Sequence, residues 1–391
     1  MSDTSAANVE PSPVIEPPRA SGRRFRQLSP GDPFPWLGQR VASKPHFAFD
    51  TMAGRYQLFG FFMAACDADA RAAIEAVHRS RQLFDDRHCS FIGVSITRAD
   101  EGCGLRDLLP GIRFAWDFDH ALSRACGAVP EDSDPEAPTP CRRCWVLVDP
   151  SLHVLRVFPF GGPEASAAVM QAVAQLPEPD LFGGVRRPAP VLVLPNVFEP
   201  ELCAALIAAY DAAGGEESGV HRNGQGVIDA GFKRRKDHTV TDAAMLAQIN
   251  GRITRRVLPE IEKLFFMRAQ YIERHIVGCY AALDGGHFGP HRDNRQGLTA
   301  HRRFAVSINL NAGFGGGEVV FPEYNLQGCK APPGWAVVFP CAILHQVRPV
   351  TSGARYAFLP FVYDEGGRAI REAELARLAA EAAASRLSPA G

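Results

Sequence analysis

Lysine is scarce in this chain. Only five of its 42 basic residues are Lys, and 43 acidic residues bring the formal net charge to -1. That balance leaves no basic surplus to draw the protein onto nucleic acid, so no nucleic-acid partner is expected. Long hydrophobic runs are missing as well. No stretch reaches the roughly 20 apolar residues a bilayer-spanning helix needs, so no membrane partner is expected. The opening segment, MSDTSAANVEPSPVIEPP, lacks a basic stretch followed by an apolar core and does not read as a secretion signal. Its Pro, Ser and Ala content reads as a disordered tail over 1–28. Cysteines are present but unordered. Ten of them, at 66, 89, 103, 126, 141, 144, 203, 279, 329 and 341, follow no regular spacing, and several lie in apolar runs such as IVGCYAAL. This usage is that of buried free thiols and not of a disulfide framework, and it points to a reducing cytoplasm.

What is present divides in two. At 391 residues, with 46% hydrophobic, the chain is long and apolar enough for two cored domains. Over 29–176, strand-like apolar runs alternate with helical stretches. Strands are expected at Tyr56–Met63, Phe91–Ile96, Trp145–Asp149 and Val154–Phe158, and helices at Ala68–Leu83 and Ala165–Leu176. That alternation predicts an α/β layer fold. The Pro- and Gly-dense stretch 177–190 (PEPDLFGGVRRPAP) reads as a linker. Beyond it, 191–391 opens with a strand at Val191–Leu194 and a helix over Leu202–Ala212, started by Asn196 or by Glu199-Pro200. An amphipathic helix is expected over Asp242–Phe266. Short strands follow at Glu273–Leu283, Arg303–Asn311, Gly317–Phe321, Trp335–Phe339 and Arg355–Tyr363. Gly/Pro turns separate them, which predicts an antiparallel sandwich or jelly roll. An Ala-rich helix, Ala369–Leu387, closes the chain.

Within that β-rich half lies His291-Arg292-Asp293, answered by His345 and then Arg355. Of twelve histidines, only His291 has Asp two positions on. In extended chain, residues two apart share a side, so His291 and Asp293 can face one cavity while Arg292 faces away. Two imidazoles and a carboxylate can hold one face of an octahedral Fe(II) and leave the other face open. A zinc-protease reading of His287 and His291 fails, because Gly289 and Pro290 between them break the helix it requires.

The runs APVLVLPNVFEPELCAALI, YAALDGGHFGPHRDN, RRFAVSINLNAGFGGGEVVFPE and APPGWAVVFPCAILHQVRPVTSGARYAF carry a resemblance. Over about 190–363 the chain resembles the Fe(II)- and 2-oxoglutarate-dependent dioxygenases of the prolyl 4-hydroxylase-like branch. The resemblance implies a double-stranded β-helix fold. It also implies hydroxylation of an unactivated C–H bond, coupled to decarboxylation of 2-oxoglutarate. His291, Asp293 and His345 would be the iron ligands. Arg355 would grip the distal carboxylate of 2-oxoglutarate with its planar fork. Tyr280 stands where a tyrosine often assists that carboxylate; a core aromatic is the other reading. Arg348 ranks below Arg355. The implied cofactors are Fe(II), 2-oxoglutarate and dioxygen, with ascorbate as a reductant, and the substrate is a peptide, a protein or a small molecule. The basic run Lys233-Arg234-Arg235-Lys236 is either a solvated loop or a contact for an acidic substrate. Arg292 and Asn294 are weaker candidates for that contact.

The runs SPGDPFPWLG, YQLFGFFM, SFIGVSI and RRCWVLVDPSLHVLRVF resemble a peroxiredoxin, a thioredoxin-fold thiol peroxidase. Arg143 falls where that family keeps a thiol-activating arginine. The family's P-x-x-x-(T/S)-x-x-C run is absent. Cys66 follows the strand without the upstream Pro and Thr/Ser, and Asp67 and Asp69 beside it would oppose a thiolate. Cys141 and Cys144 form a C-x-x-C that precedes a strand instead of opening a helix, unlike a redox dithiol. The leading expectation is therefore a hydroxylase whose thioredoxin-like domain serves docking or homodimerisation. A thiol-dependent peroxidase acting through the N-terminal domain is the alternative, and a non-catalytic binding module is the third.

Overall fold

The computed structural model describes residues 24–222, 225–295 and 297–387. The strand Tyr56–Met63 (YQLFGFFM) is buried at every position, as a strand must be when both faces of its sheet are covered. It belongs to a seven-stranded sheet. The order is Lys44–Ala48, Gly38–Val41, Ile112–Trp116, Cys89–Ser95, Tyr56–Met63, Cys144–Val148, Val154–Pro159. Tyr56–Met63 runs parallel to Cys89–Ser95, and that strand runs parallel to Ile112–Trp116. Helix Ala68–Arg79 supplies the crossover that the first parallel pair requires. Side chains alternate across the sheet. Leu58, Phe62, Phe91 and Trp145 pack with Ile74, Val77 and Met170 from helices Ala68–Arg79 and Pro163–Ala174. Phe59, Phe61, Ile92 and Val94 form the opposite core with Phe34, Phe49 and Leu122.

Most of the expected tail, 1–23, lies outside the described residues. Residues 24–28 depart from that expectation: Leu28 joins the N-terminal core, and the Arg142 guanidinium lies 3.9 Å from the centre of the Phe25 ring. The expected linker is stitched down. The Leu326 amide donates to Asp180 Oδ1 at 2.5 Å, and Arg187 donates to the Glu323 carbonyl at 2.5 Å. Its Pro and Gly leave it only one short 3-10 turn, Pro179–Leu181, but Asp180 and Arg187 find partners on the C-terminal half.

Besides a two-stranded ribbon, Val220–Arg222 with Gln225–Val227, the C-terminal half builds two sheets. The long one runs Tyr271–Glu273, Phe361–Tyr363, Phe304–Asn309, Val350–Phe358, Ile276–Ala281, Lys236–Thr239, Glu216–Glu217, with Ala336–Pro340 also pairing to Phe304–Asn309. The short one runs Lys233–Arg234, His287–His291, His345–Val347, Val319–Phe321, Asn325–Cys329. Phe304, Val306 and Ile308 pack against Leu206, Ile249, Ile253 and Ile261, which come from helices Pro200–Ala213, Ala243–Arg256 and Leu258–Phe265. Ala305, between them in sequence, packs with Val319 and Phe321 of the short sheet. The period-two alternation thus turns Ser307 and Asn309 toward the space between the sheets.

Five expectations need redrawing. The single helix over Asp242–Phe266 is two helices, Ala243–Arg256 and Leu258–Phe265. Pro259 lacks an N–H, and its ring cannot follow an unbroken helix. The strand over Glu273–Leu283 divides at Arg274, whose φ is 65°. The strand over Arg355–Tyr363 divides before Phe361, where Pro360 cannot donate to the ladder. The run Lys233–Lys236 is not an open loop: its first two residues pair in the short sheet and its last begins a strand of the long one. The closing helix, Glu365–Leu387, starts four residues earlier than expected. Among the described residues, no helix is long and apolar enough to cross a membrane.

Candidate metal centre

The strands His287–His291 and His345–Val347 pair antiparallel with His291 directly opposite His345, and their ring centres lie 4.2 Å apart. Asp293 follows two residues after His291. Its amide donates to the Cys341 carbonyl at 2.9 Å, which turns the carboxylate inward. Asp293 Oδ1 lies 3.5 Å from His291 Nε2 and Oδ2 lies 3.2 Å from His345 Nε2. The ligand-capable atoms of the three residues all fall within 4.8 Å of one another.

Hydrogen bonding decides which nitrogen of each imidazole faces the centre. His291 Nδ1 is 2.8 Å from the Gly289 carbonyl and His345 Nδ1 is 3.1 Å from the Ile343 carbonyl. A carbonyl can only accept, so each Nδ1 carries a proton and each Nε2 faces Asp293. Burial, reinforced by His345, holds the His291 imidazole down at about 4, so it is neutral and able to ligate near pH 7. Burial alone would raise the Asp293 carboxyl. His345 and His291 beside it outweigh that and hold it well below the usual carboxylate range. Phe288 stacks on His291 with ring centres 3.6 Å apart and closes one side with apolar surface.

Arg355 and Tyr280 approach from the long sheet, where they are cross-strand partners. Both are 2% exposed. Arg355 Nε donates to Asn309 Oδ1 at 3.0 Å and Nη2 donates to Ser307 Oγ at 2.9 Å. Its Nη1 is buried with no hydrogen-bond partner among the described residues. A buried cation with an unused donor is costly, and an anion arriving there would relieve that cost. The Tyr280 hydroxyl lies 3.2 Å from Arg235 Nη1, and the Arg355 guanidinium lies 5.3 Å from the centre of the Tyr280 ring. Arg348, by contrast, is exposed and donates to the Leu326 carbonyl.

Other expected residues fall differently. Arg292 faces away from the triad, as the alternation predicts, but it is buried in ion pairs with Asp50 and Glu323 and not available to a substrate. Arg235 is buried against Asp237. Lys233 is also buried, and that burial, with Arg235, pushes its amine down to about 6. Neither fits the solvated-loop reading. Arg234 is exposed and donates to the Ala230 and Asp284 carbonyls at 2.9 and 3.0 Å. Asn294 is half-buried in the turn after Asp293. Cys66 is not a free thiol: it forms a disulfide with Cys103, and eight cysteines remain free. Irregular spacing in the sequence hid a pair that the loops beyond two parallel strands bring together. Arg143 is paired with Asp67 at 2.9 Å and Asp69 at 3.4 Å. The sequence reading overlooked Ser307 and Asn309. Their signal was the alternation in AVSINLN, where polar residues fall at every second position between apolar ones.

Residues 276–363, which include Tyr280, all three triad residues and Arg355, match the family model of the 2OG-Fe(II) oxygenase superfamily. A PKHD-type hydroxylase of Paraburkholderia phymatum is 30% identical over 178 residues, covering 43% of this chain and 75% of that protein. Among solved structures, a prolyl-4-hydroxylase of Pseudomonas putida is similar with a TM-score of 0.37 and 15% identity, over 48% of this chain and 96% of that one. Peroxiredoxin Q of Xanthomonas campestris is similar with a TM-score of 0.29 and 19% identity, over 35% of this chain and 89% of that one.

Proposed function

The chain belongs to the 2OG-Fe(II) oxygenase superfamily and is an enzyme of the hydroxylase kind, and from that premise we propose that it hydroxylates an unactivated C–H bond at the expense of 2-oxoglutarate. His291, Asp293 and His345 hold Fe(II), and Arg355 holds the distal carboxylate of 2-oxoglutarate. One observation carries this reading. Three ligand atoms converge between the sheets, both imidazoles are oriented by backbone carbonyls, and a buried guanidinium on the facing sheet keeps one donor unclaimed.

When bound, iron supplies the redox chemistry that divides dioxygen between succinate and the hydroxylated product, with carbon dioxide released. The chain's own residues do the rest. Asp293 stays ionised and the His291 imidazole stays neutral, so these two donors are ready without losing a proton near pH 7. Ser307 and Asn309 fix two nitrogens of Arg355 and leave Nη1 aimed at an incoming carboxylate. Tyr280, held by Arg235, offers its hydroxyl as a second partner for the same group. Phe288 limits water on the His291 side. Ascorbate would act as a general reductant of iron in this scheme.

The same reading divides the chain at 177–190, with a thioredoxin-like layer before it and a double-stranded β-helix after it. The substrate class is a prolyl or other amino-acid residue in a peptide, or a small molecule. The test is incubation of the purified enzyme with Fe(II), 2-oxoglutarate and cell extract, followed by a mass-spectrometric search of peptides and metabolites for a gain of one oxygen. Such a product, lost in His291→Ala, supports the proposal; succinate formation without any oxygenated product, or no turnover, counts against it.

The Cys66–Cys103 disulfide favours a second reading, thiol-dependent peroxide reduction by the N-terminal half. Peroxide consumption that disappears in Cys66→Ser would support it.

A further inference from the structure

The triad is carried by two segments, and both rest on the N-terminal half of the chain. Arg292, between two of the expected ligands, has a side chain 1% exposed. Its Nε donates to Asp50 Oδ2 at 3.0 Å, and Asp50 itself has a fully buried side chain. Its Nη1 and Nη2 donate to the two oxygens of Glu323 at 3.0 and 2.7 Å, and Nη1 also donates to the Ala342 carbonyl. The Trp36 ring covers the guanidinium, with its centre 3.8 Å away. Every donor group of Arg292 is therefore spent on positioning.

The same carboxylates reach further. Asp50 Oδ1 accepts from Arg295 Nη1 at 2.5 Å, so one buried aspartate clamps the chain on both sides of Asp293. Glu323 Oε2 also accepts from the Leu344 amide at 2.8 Å, one residue before His345. Leu344 is fully buried and packs against Ala53 and Leu152 of the N-terminal half. Nearby, a Cβ on Gly54 would fall 2.8 Å from the Pro322 side chain, so the two halves meet at backbone distance. Two cations and two carboxylates close the network, which is why these charges can be buried at all.

We infer that the N-terminal half is a structural part of the metal centre: Asp50, acting through Arg292 and Arg295, is a positioning residue that holds the His291–Asp293 segment in ligating geometry. This inference rests on the metal-site reading given under Proposed function. Groups that orient metal ligands commonly govern affinity by 10–100-fold, although they never touch the ion.

The test uses the full chain in two arms. Hydrogen exchange of the wild type is followed with and without Mn(II) plus 2-oxoglutarate. The expected result is slowed exchange over 285–295 and 343–349 and also over 49–54, with helix Ala68–Arg79 unchanged. Protection confined to the C-terminal segments would overturn the inference while leaving the metal reading intact; no protection anywhere would sink both. In the second arm, free Mn(II) is titrated by its paramagnetic resonance signal against wild type, Asp50→Asn and Asp180→Asn. Asp180, in the segment between the halves, also binds the C-terminal half, but away from the ligands. Asp50→Asn is expected to weaken Mn(II) binding about tenfold or more. Asp180→Asn should leave Mn(II) binding unchanged at a similar melting temperature. Equal affinities in all three proteins would overturn the inference. Should Asp50→Asn fail to fold, the exchange experiment decides alone.

Discussion

Two arginines, one in each half, lie beside clusters of reactive side chains. Arg355 is almost fully buried, two of its nitrogens are bound by Asn309 and Ser307, and the third is unclaimed. Arg143 is about a third exposed and divides its guanidinium between Asp67 and Asp69. The first arrangement keeps a free-energy cost that only an incoming anion removes. The second is already satisfied by its own chain. The neighbours follow the same division: the Nε2 atoms of His291 and His345 converge on an ionised Asp293, whereas Cys66 is consumed in a bond to Cys103. What distinguishes the proposed site is not the type of residue but the valence left open in a buried place.

Substitutions can break or sharpen this contrast. The largest effect belongs to the triad. Asp293→Ala should lower hydroxylated product by more than about 100-fold, beyond what loss of a merely supporting residue costs, as read by mass spectrometry. Next comes Arg355→Ala, which removes the unclaimed donor. It should raise KM for 2-oxoglutarate by about 10–100-fold, the worth of a charge-assisted hydrogen bond. Arg355→Lys should recover only part of this, because Lys keeps the charge and loses the fork. Tyr280→Phe separates the two readings of that residue in steady-state kinetics. A hydroxyl that assists the carboxylate predicts about a fivefold rise in the same KM; a purely packing role predicts none. The smallest effect is expected in the other half: Cys66→Ser should leave succinate release within about twofold, since a distant surface change seldom propagates. A large loss there would erase the distinction between the halves.

The contrast also explains how much was legible beforehand. YQLFGFFM announced a doubly covered strand because all its positions but Gln57 are apolar, and its residues are all buried. That His291, Asp293 and His345 converge was legible because it depends on residue type, on spacing along extended chain and on strand alternation, all of which are local; the role proposed for them and for Arg355 is read from the same signals. Pro259 and Pro360 were visible as well, and the expected elements should have been cut at them. The pairing of Cys66 with Cys103 and the burial of Lys233 and Arg235 were not legible, because both depend on how separate loops meet. The same holds for Arg292. Its outward direction could be read from the alternation, but its partner Asp50 lies 242 residues away in sequence.

The most direct test of the central claim is succinate formation from 2-oxoglutarate, followed by proton NMR in aerobic buffer with cell extract, with and without Fe(II), for wild type and His345→Ala. The account predicts succinate that requires Fe(II) in the wild type and vanishes in the variant. Succinate formed equally by both proteins, or formed without iron, would contradict it.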